Sequence, residues 1–301
     1  MSAYNSFAVV GGGTVGIPIV NALAAKNVSV VLLSRPGSSA KTVPSGVTVV
    51  QVDTSDAAAV GAVLKEHKVD VVLSTVTTLA ASGQKPLVDG AKQAGVKLFV
   101  PSEYGMPTDG QTEGPLGAKN EIAAYLKTVG IPSARIFVRP ERIVLHDVPG
   151  ANKLLIQTGH FTEFIPWLTA YADTKKIQVV GKGEAPVSFT AVPDIAGFVA
   201  HILTTLPPSE LENRIFRLEG ERISLNGLGP LFNTPVEHVD KITGEMGELK
   251  TMLHGVTDTG AASTGWDTVN KREKTGSDAA GSANALWAGH QWKTIKEVHN
   301  L

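Results

Sequence analysis

The chain has 301 residues, 43% hydrophobic and 18% charged, with a formal net charge of −1. This is a globular composition, long enough for one large core or two smaller ones, with no electrostatic reason to expect nucleic acid as a partner. The absence of cysteine excludes a disulfide scaffold, a zinc–thiolate site and a cysteine nucleophile together.

Residues 1–10, MSAYNSFAVV, lead straight into an apolar run with no basic segment or cleavage pattern, which argues against a signal peptide. No apolar run approaches bilayer length, VSVVLL at 28–33 being typical of the longest, so the expectation is a cytoplasmic protein with no membrane partner.

The first half alternates two patterns. Short β-branched runs predict strands at 7–10, 28–33, 47–52, 69–74, 98–100 and 134–138. Stretches with apolar residues three and four apart predict helices at 15–26, 56–67, 84–94 and 119–129. Strands that are apolar on both faces suit a parallel sheet, and the alternation predicts an α/β protein with a Rossmann-type doubly wound sheet.

Past residue 138 the rhythm fails, and residues 139–158 match neither template. A helical pattern resumes over 158–176, followed by strands at 177–180 and 187–190, a helix at 194–206 and a strand near 215–218. From about residue 244 the chain is rich in Gly, Ala, Ser and Thr. Trp266, Trp287 and Trp292 nevertheless predict that much of it packs down. The expected division is a dinucleotide-binding Rossmann domain at 1–140 and a smaller substrate-binding region at 141–301 that partly completes the sheet.

The strongest local motif is Gly11-Gly12-Gly13-Thr14-Val15-Gly16, between the first strand and the first helix. Gly11 permits the tight turn, Gly13 lets backbone approach a pyrophosphate, and Gly16 lets helix and strand pack closely. The phosphates would meet N–H groups at a helix N-terminus, where the dipole favours anions. At the end of the second strand, where an NAD site places an acid, the chain reads Leu33-Ser34-Arg35-Pro36 and has no acid until Asp53. Arg35, helped by Lys41, would pair with a ribose 2′-phosphate, so the expected cofactor is NADP(H). Thr75, after the fourth strand, is expected to line the same crevice.

Tyr171 and Lys175 form the Y-x-x-x-K spacing that places a phenol and an ammonium on one helical face, but they fall well after the sixth strand, the wrong slot for that chemistry. The helix in the right slot reads Gly117-Ala118-Lys119-Asn120-Glu121. It follows Pro101-Ser102-Glu103-Tyr104-Gly105 and precedes Gly130-Ile131-Pro132. This combination resembles the isoflavone reductase-like group within the NmrA-like family of atypical short-chain dehydrogenases, and the likeness continues through residues 181–203. The resemblance implies NADPH-dependent reduction of a small aromatic, phenolic or carbonyl substrate, with Lys119 catalytic. The residue's setting agrees, because a lysine opening a helix in a half-buried cleft feels an unfavourable dipole and desolvation, both of which ease loss of its proton. NmrA-like proteins also include dinucleotide-sensing regulators without turnover, which gives an alternative reading with a regulatory protein as partner.

Two departures accompany the resemblance. The glycine loop is one residue shorter than the family's GxxGxxG. Ile136-Phe137 and Gly159-His160-Phe161 match two sides of a junction that about twenty residues divide. The dividing segment is either a substrate lid or extra sequence interrupting a site wall, and its irregular pattern favours the second. His160 would then stand at the substrate wall or pocket rim. Asp194 reads as a helix N-cap, Lys182 as a residue of a Gly-flanked turn, and the scattered histidines show no metal-ligand spacing.

Overall fold

A computed structural model describes residues 4–104, 107–108, 110, 112–137 and 160–301. The first half builds β1 (Ser6–Val10), α1 (Gly16–Ala24), β2 (Ser29–Ser34), β3 (Thr48–Gln51), α2 (Ala57–Glu66), β4 (Val71–Ser74), α3 (Lys85–Ala94), β5 (Leu98–Val100), α4 (Gly114–Val129) and β6 (Ala134–Phe137). Five of these strands form a parallel sheet in the order β3-β2-β1-β4-β5. A parallel bridge between Phe99 and Ser133 sets β6 beside β5. The order reverses between β1 and β4, which opens a crevice at the carboxyl edge of the sheet.

The strand sequences dictate this arrangement. Side chains alternate across a strand, and in β1 Phe7 and Val9 enter one core while Ala8 and Val10 enter another. The first core takes Ile19, Val20 and Leu23 of α1, and the second takes Val60 and Leu64 of α2, Leu87 and Val88 of α3, and Ile122 and Leu126 of α4. Strands covered on both faces must be apolar throughout, hence FAVV and VVLL. Asp56 stops the chain before α2 and accepts hydrogen bonds from the backbone N–H groups of Ala58 and Ala59.

The second half builds short helices α5 (Ile165–Leu168) and α6 (Tyr171–Thr174), then β7 (Ile177–Val179), β8 (Pro186–Phe189), α7 (Val192–Thr205), β9 (Arg214–Arg217), β10 (Glu221–Ser224), α8 (Leu228–Leu231), β11 (Val236–His238), α9 (Gly247–Val256), β12 (Trp266–Asp267), β13 (Arg272–Glu273) and α10 (Ile295–His299). Two of these elements serve the first half: β9 pairs in parallel with β6, and α7 lies against α1 in the first core. Around β7, β8, α8 and α9 a third core forms from residues such as Ile177, Val187, Leu228 and Leu253. No described helix is long and apolar enough to cross a membrane.

Several sequence expectations shift. The helix expected at 119–129 starts at Gly114, five residues earlier. Gly114 and Gly117 obscured the start, yet Gly117 is needed because a Cβ there would lie 2.5 Å from the carbonyl carbon of Thr112. The helical pattern expected over 158–176 breaks into a 3₁₀ turn (Thr162–Phe164), α5 and α6. Ala170 and Lys175 take positive φ of 54° and 57°, and positive φ stops a right-handed helix. Asp194 is not the N-cap of α7, which is Ala191; its carboxylate instead accepts from the Lys293 backbone N–H at 2.7 Å and lies 3.0 Å from His290 Nε2. The C-terminal region packs down as expected: Ser263 and Thr264 are fully buried, Trp266 covers Gly260, and Trp287 and Trp292 pack on the first core. Residues 139–158, and the choice between lid and interruption, lie outside the described residues.

Candidate active site and dinucleotide crevice

The glycine loop leaves β1 at the switch point. Gly11 has φ +102°, which only glycine adopts readily, and its N–H donates to the Leu33 carbonyl at 2.9 Å. A Cβ on Gly16 would lie 2.0 Å from the Gly11 carbonyl oxygen, so the first turn of α1 closes on β1 only because that side chain is absent. Thr75 locks the same point from β4, its Oγ1 donating to the carbonyls of Gly11 at 2.7 Å and Val10 at 3.0 Å. No side chain caps α1 at Val15, and no acid stands in its first turn. An uncapped helix start beside a glycine turn suits an anion.

The structure gathers Gly11, Gly12, Gly13, Thr14, Val15, Gly16 and Thr75 at this point. Lys41 joins them, because a Cβ on Gly12 would lie 3.2 Å from its Cγ. Leu33 is in register with Val10, so Arg35, one residue past β2 and exposed, stands alongside the loop.

Lys119 occupies the second turn of α4 instead of opening it, which places it beyond the first turn, where the helix dipole acts most strongly. It is 4% exposed, and its Nζ donates to the backbone carbonyl of Glu103 at 2.8 Å. Glu103 follows β5 and is itself buried. One carboxylate oxygen accepts from Arg135 Nε at 2.9 Å, and the Thr108 hydroxyl sits 3.2 and 3.3 Å from the two oxygens. The Arg135 guanidinium also donates to Thr108 Oγ1. Arg135 reaches this side because Ala134 and Ile136 face the first core, and alternation turns Arg135 and Phe137 to the other face. Its guanidinium lies 5.0 Å from the Phe137 ring centre, and that of Arg217 on β9 lies 5.3 Å from it.

The neighbouring residues of the loop are also tied down. Ser102 donates from its hydroxyl to Val76 O at 2.7 Å and from its backbone N–H to Gln84 Oε1 at 2.9 Å. Tyr104 is different: its hydroxyl is buried with no hydrogen-bond partner among the described residues, and burial pushes its phenol well above the usual range.

Sequence reasoning singled out Lys119 and missed Glu103, Thr108 and Arg135. One signal was present, since an arginine inside the apolar strand ARIF needs a buried partner. Tyr171 and Lys175 make no phenol–ammonium pair. Lys175 takes a left-handed conformation at the end of α6, and its Nζ lies 5.6 Å from the centre of the Tyr171 ring. His160 is buried, 3.2 Å from Thr257 Oγ1 and stacked on Phe189. Lys182 donates its backbone N–H to Asp258 in the turn expected for it. Among the described residues no three His, Asp or Glu side chains assemble as a metal site.

Known proteins share this architecture. Oxidoreductase aprR of Aspergillus flavus is 42% identical over 123 residues, covering 38% of this chain and 40% of that protein. The probable pinoresinol-lariciresinol reductase 3 of Arabidopsis thaliana is 30% identical over 177 residues, covering 56% of this chain and 52% of that protein. The chain thus spans about two fifths to half the length of these curated relatives. The solved structure described as AtPrR2 with NADP+ and (+)pinoresinol superimposes with a TM-score of 0.72 at 19% identity, covering 99% of this chain and 98% of the other, a likeness of fold. The sequence profile of the NmrA-like family matches residues 5–256, and with its Rossmann sheet, glycine loop and buried lysine the chain belongs to the NmrA-like family.

Proposed function

We propose that this chain is an NADPH-dependent reductase of a small aromatic, phenolic or carbonyl molecule. The observation that carries the reading is Lys119: an ammonium 4% exposed, held at 2.8 Å on a loop that leaves the carboxyl edge of the sheet, beside the switch-point crevice. The names of the relatives, an oxidoreductase and a pinoresinol-lariciresinol reductase, and the NADP+ of the structural neighbour support it.

The residues present fit a dinucleotide. Gly11 turns with φ +102°, the absence of a Cβ on Gly16 lets α1 close on that turn, and α1 begins there uncapped. In this reading Gly11, Gly12, Gly13, Thr14, Val15 and Gly16 hold the pyrophosphate with Thr75 bracing the turn, and Arg35 and Lys41 hold the 2′-phosphate that NADP has and NAD lacks. NADPH, when bound, supplies the hydride. Lys119 Nζ supplies the proton to the substrate oxygen and takes it back in the reverse direction. Residues 1–140 carry the cofactor, and residues 141–301 shape the substrate cavity.

The test is a fluorescence titration with NADPH and NADH of the wild type and Arg35→Asp, followed by turnover of phenolic and carbonyl substrates by the wild type and Lys119→Met. The expected result is NADPH preference lost in Arg35→Asp and reduction lost in Lys119→Met. Binding of neither nucleotide overturns the reading. Nucleotide binding without any Lys119-dependent turnover replaces it with a dinucleotide-sensing role.

A further inference from the structure

The geometry points to the buried Arg135–Glu103 pair as the positioning device for Lys119; the inference rests on the proton-donor reading of that lysine. A lysine carries its charge on four flexible carbons, so a defined place for the ammonium must be imposed from outside. Here the imposing group is the Glu103 carbonyl, which accepts from Nζ at 2.8 Å. That carbonyl belongs to a loop, and a loop holds an atom still only if something rigid holds the loop. The Glu103 side chain meets this need. It is 1% exposed and clamped at 2.9 Å by Arg135, which projects from β6 in the interior of the fold. Thr108 bridges the pair, bonded to both its members. The same residue therefore joins two tasks: its carboxylate is fixed to a strand, and its carbonyl directs the lysine on α4.

Stability alone does not explain such a pair. Two charges taken out of water regain little over a well-packed apolar pair of the same volume, so a buried ion pair is better read as a device that enforces one geometry. The surroundings agree. Ser102, immediately before Glu103, is pinned from both its hydroxyl and its backbone N–H, and the Phe137 ring supports the Arg135 guanidinium. The loop is thus held side chain by side chain up to the carbonyl that meets Lys119. Arg135 and Glu103 touch Lys119 or its anchor and are placed here as positioning residues, with no contact to substrate required of them.

The test compares the wild type, Glu103→Gln, Arg135→Lys and the apolar double variant Glu103→Leu/Arg135→Met, the last keeping the fold if a single variant unfolds. Lys119 is read directly by the pH dependence of its acetylation with acetic anhydride, quantified by peptide mass spectrometry, with circular dichroism and NADPH titration in parallel. The expected result is a folded double variant whose Lys119 reacts several-fold faster with a shifted pH midpoint, while the reactivity of the exposed Lys182 is unchanged. Where a substrate is in hand, kcat falls by about 100-fold with KM little changed, the mark of a reacting group displaced by an ångström or so. Arg135→Lys, which keeps the charge, is expected to restore part of both. Unchanged Lys119 reactivity and pH midpoint in the folded double variant overturns the inference. Absence of NADPH binding by the wild type counts against the reductase reading alone, since the acetylation readout needs no nucleotide.

Discussion

Thr75 Oγ1 donates to the Gly11 carbonyl at 2.7 Å, and the same carbonyl oxygen is the atom that a Cβ on Gly16 would strike at 2.0 Å. One oxygen thus gathers β4, the glycine turn and the first helix. Gly16→Ala must push α1 away from β1, and overpacking of this kind costs about 1–3 kcal/mol. The expected outcome is a lower urea midpoint together with loss of NADPH binding. Thr75→Val keeps the volume but removes the hydroxyl donor from the Gly11 carbonyl, while Val10 O keeps the Thr75 backbone N–H, with an expected cost of about 1 kcal/mol. A Gly16→Ala protein that binds NADPH as tightly as the wild type would show that the loop does not cradle the cofactor.

Removing one member of the Glu103–Arg135 pair leaves a charge stranded in the interior. Arg135→Met abandons a carboxylate that is 1% exposed, and the expected loss is about 3–5 kcal/mol. Adding Glu103→Leu removes the stranded charge as well, so the double variant is expected to regain most of that loss. Denaturant unfolding of the two single variants and the double variant forms the cycle. Additive losses, with the double variant the least stable of all, would show that the two side chains are not coupled.

Tyr104 predicts the opposite behaviour. Its hydroxyl is buried without a partner among the described residues while its ring packs in the first core with Val100 and Ile136. Tyr104→Phe keeps the ring and discards the unsatisfied oxygen. Its stability is expected to hold or to rise by up to about 1 kcal/mol. A lower thermal midpoint for the ligand-free variant would mean that the hydroxyl is bonded after all.

The sheet was legible because its signals are local. Val30–Leu33 and Val71–Leu73 are buried on both faces, and only an unbroken apolar run satisfies that demand. The glycine turn was legible for the same reason, since its residues answer constraints one turn away. Lys119 was placed on the right helix but one turn too close to its start, because Gly114 and Gly117 look like chain breaks in a sequence and belong to α4. The clamp on Lys119 was not legible: Glu103 and Arg135 are 32 residues apart and meet only when β6 is laid beside β5. Asp194 shows the same limit, since an acid near a helix start reads as a cap, and only the fold reveals that it holds the backbone of Lys293. Signals of period or spacing survive without a structure, whereas pairings between residues 32 or 99 apart do not.

His254 makes stability depend on pH. It is fully buried in α9, where Nδ1 accepts from the Val180 N–H at 3.0 Å; the ring proton is therefore on Nε2, which donates to Leu168 O at 3.1 Å. The bond accepted by Nδ1 requires the neutral ring, and burial, outweighing the Leu168 carbonyl that favours the charged form, pushes the pKa down from 6.5 to about 4. Between these values the unfolded chain binds a proton that the folded chain refuses, so acid favours unfolding there. The contribution of His254 is complete above pH 6.5 and declines as pH falls toward about 4, a total of about 3 kcal/mol. The site joins α9 to the end of β7 and to α5, so the third core should loosen first. Urea unfolding across this range is expected to show a steeper loss of stability for the wild type than for His254→Leu. The variant is less stable at neutral pH, because two backbone groups lose their partner, but it has no ring to protonate. Equal pH slopes for the two proteins would mean that this histidine titrates normally and that the acid sensitivity of the fold lies elsewhere.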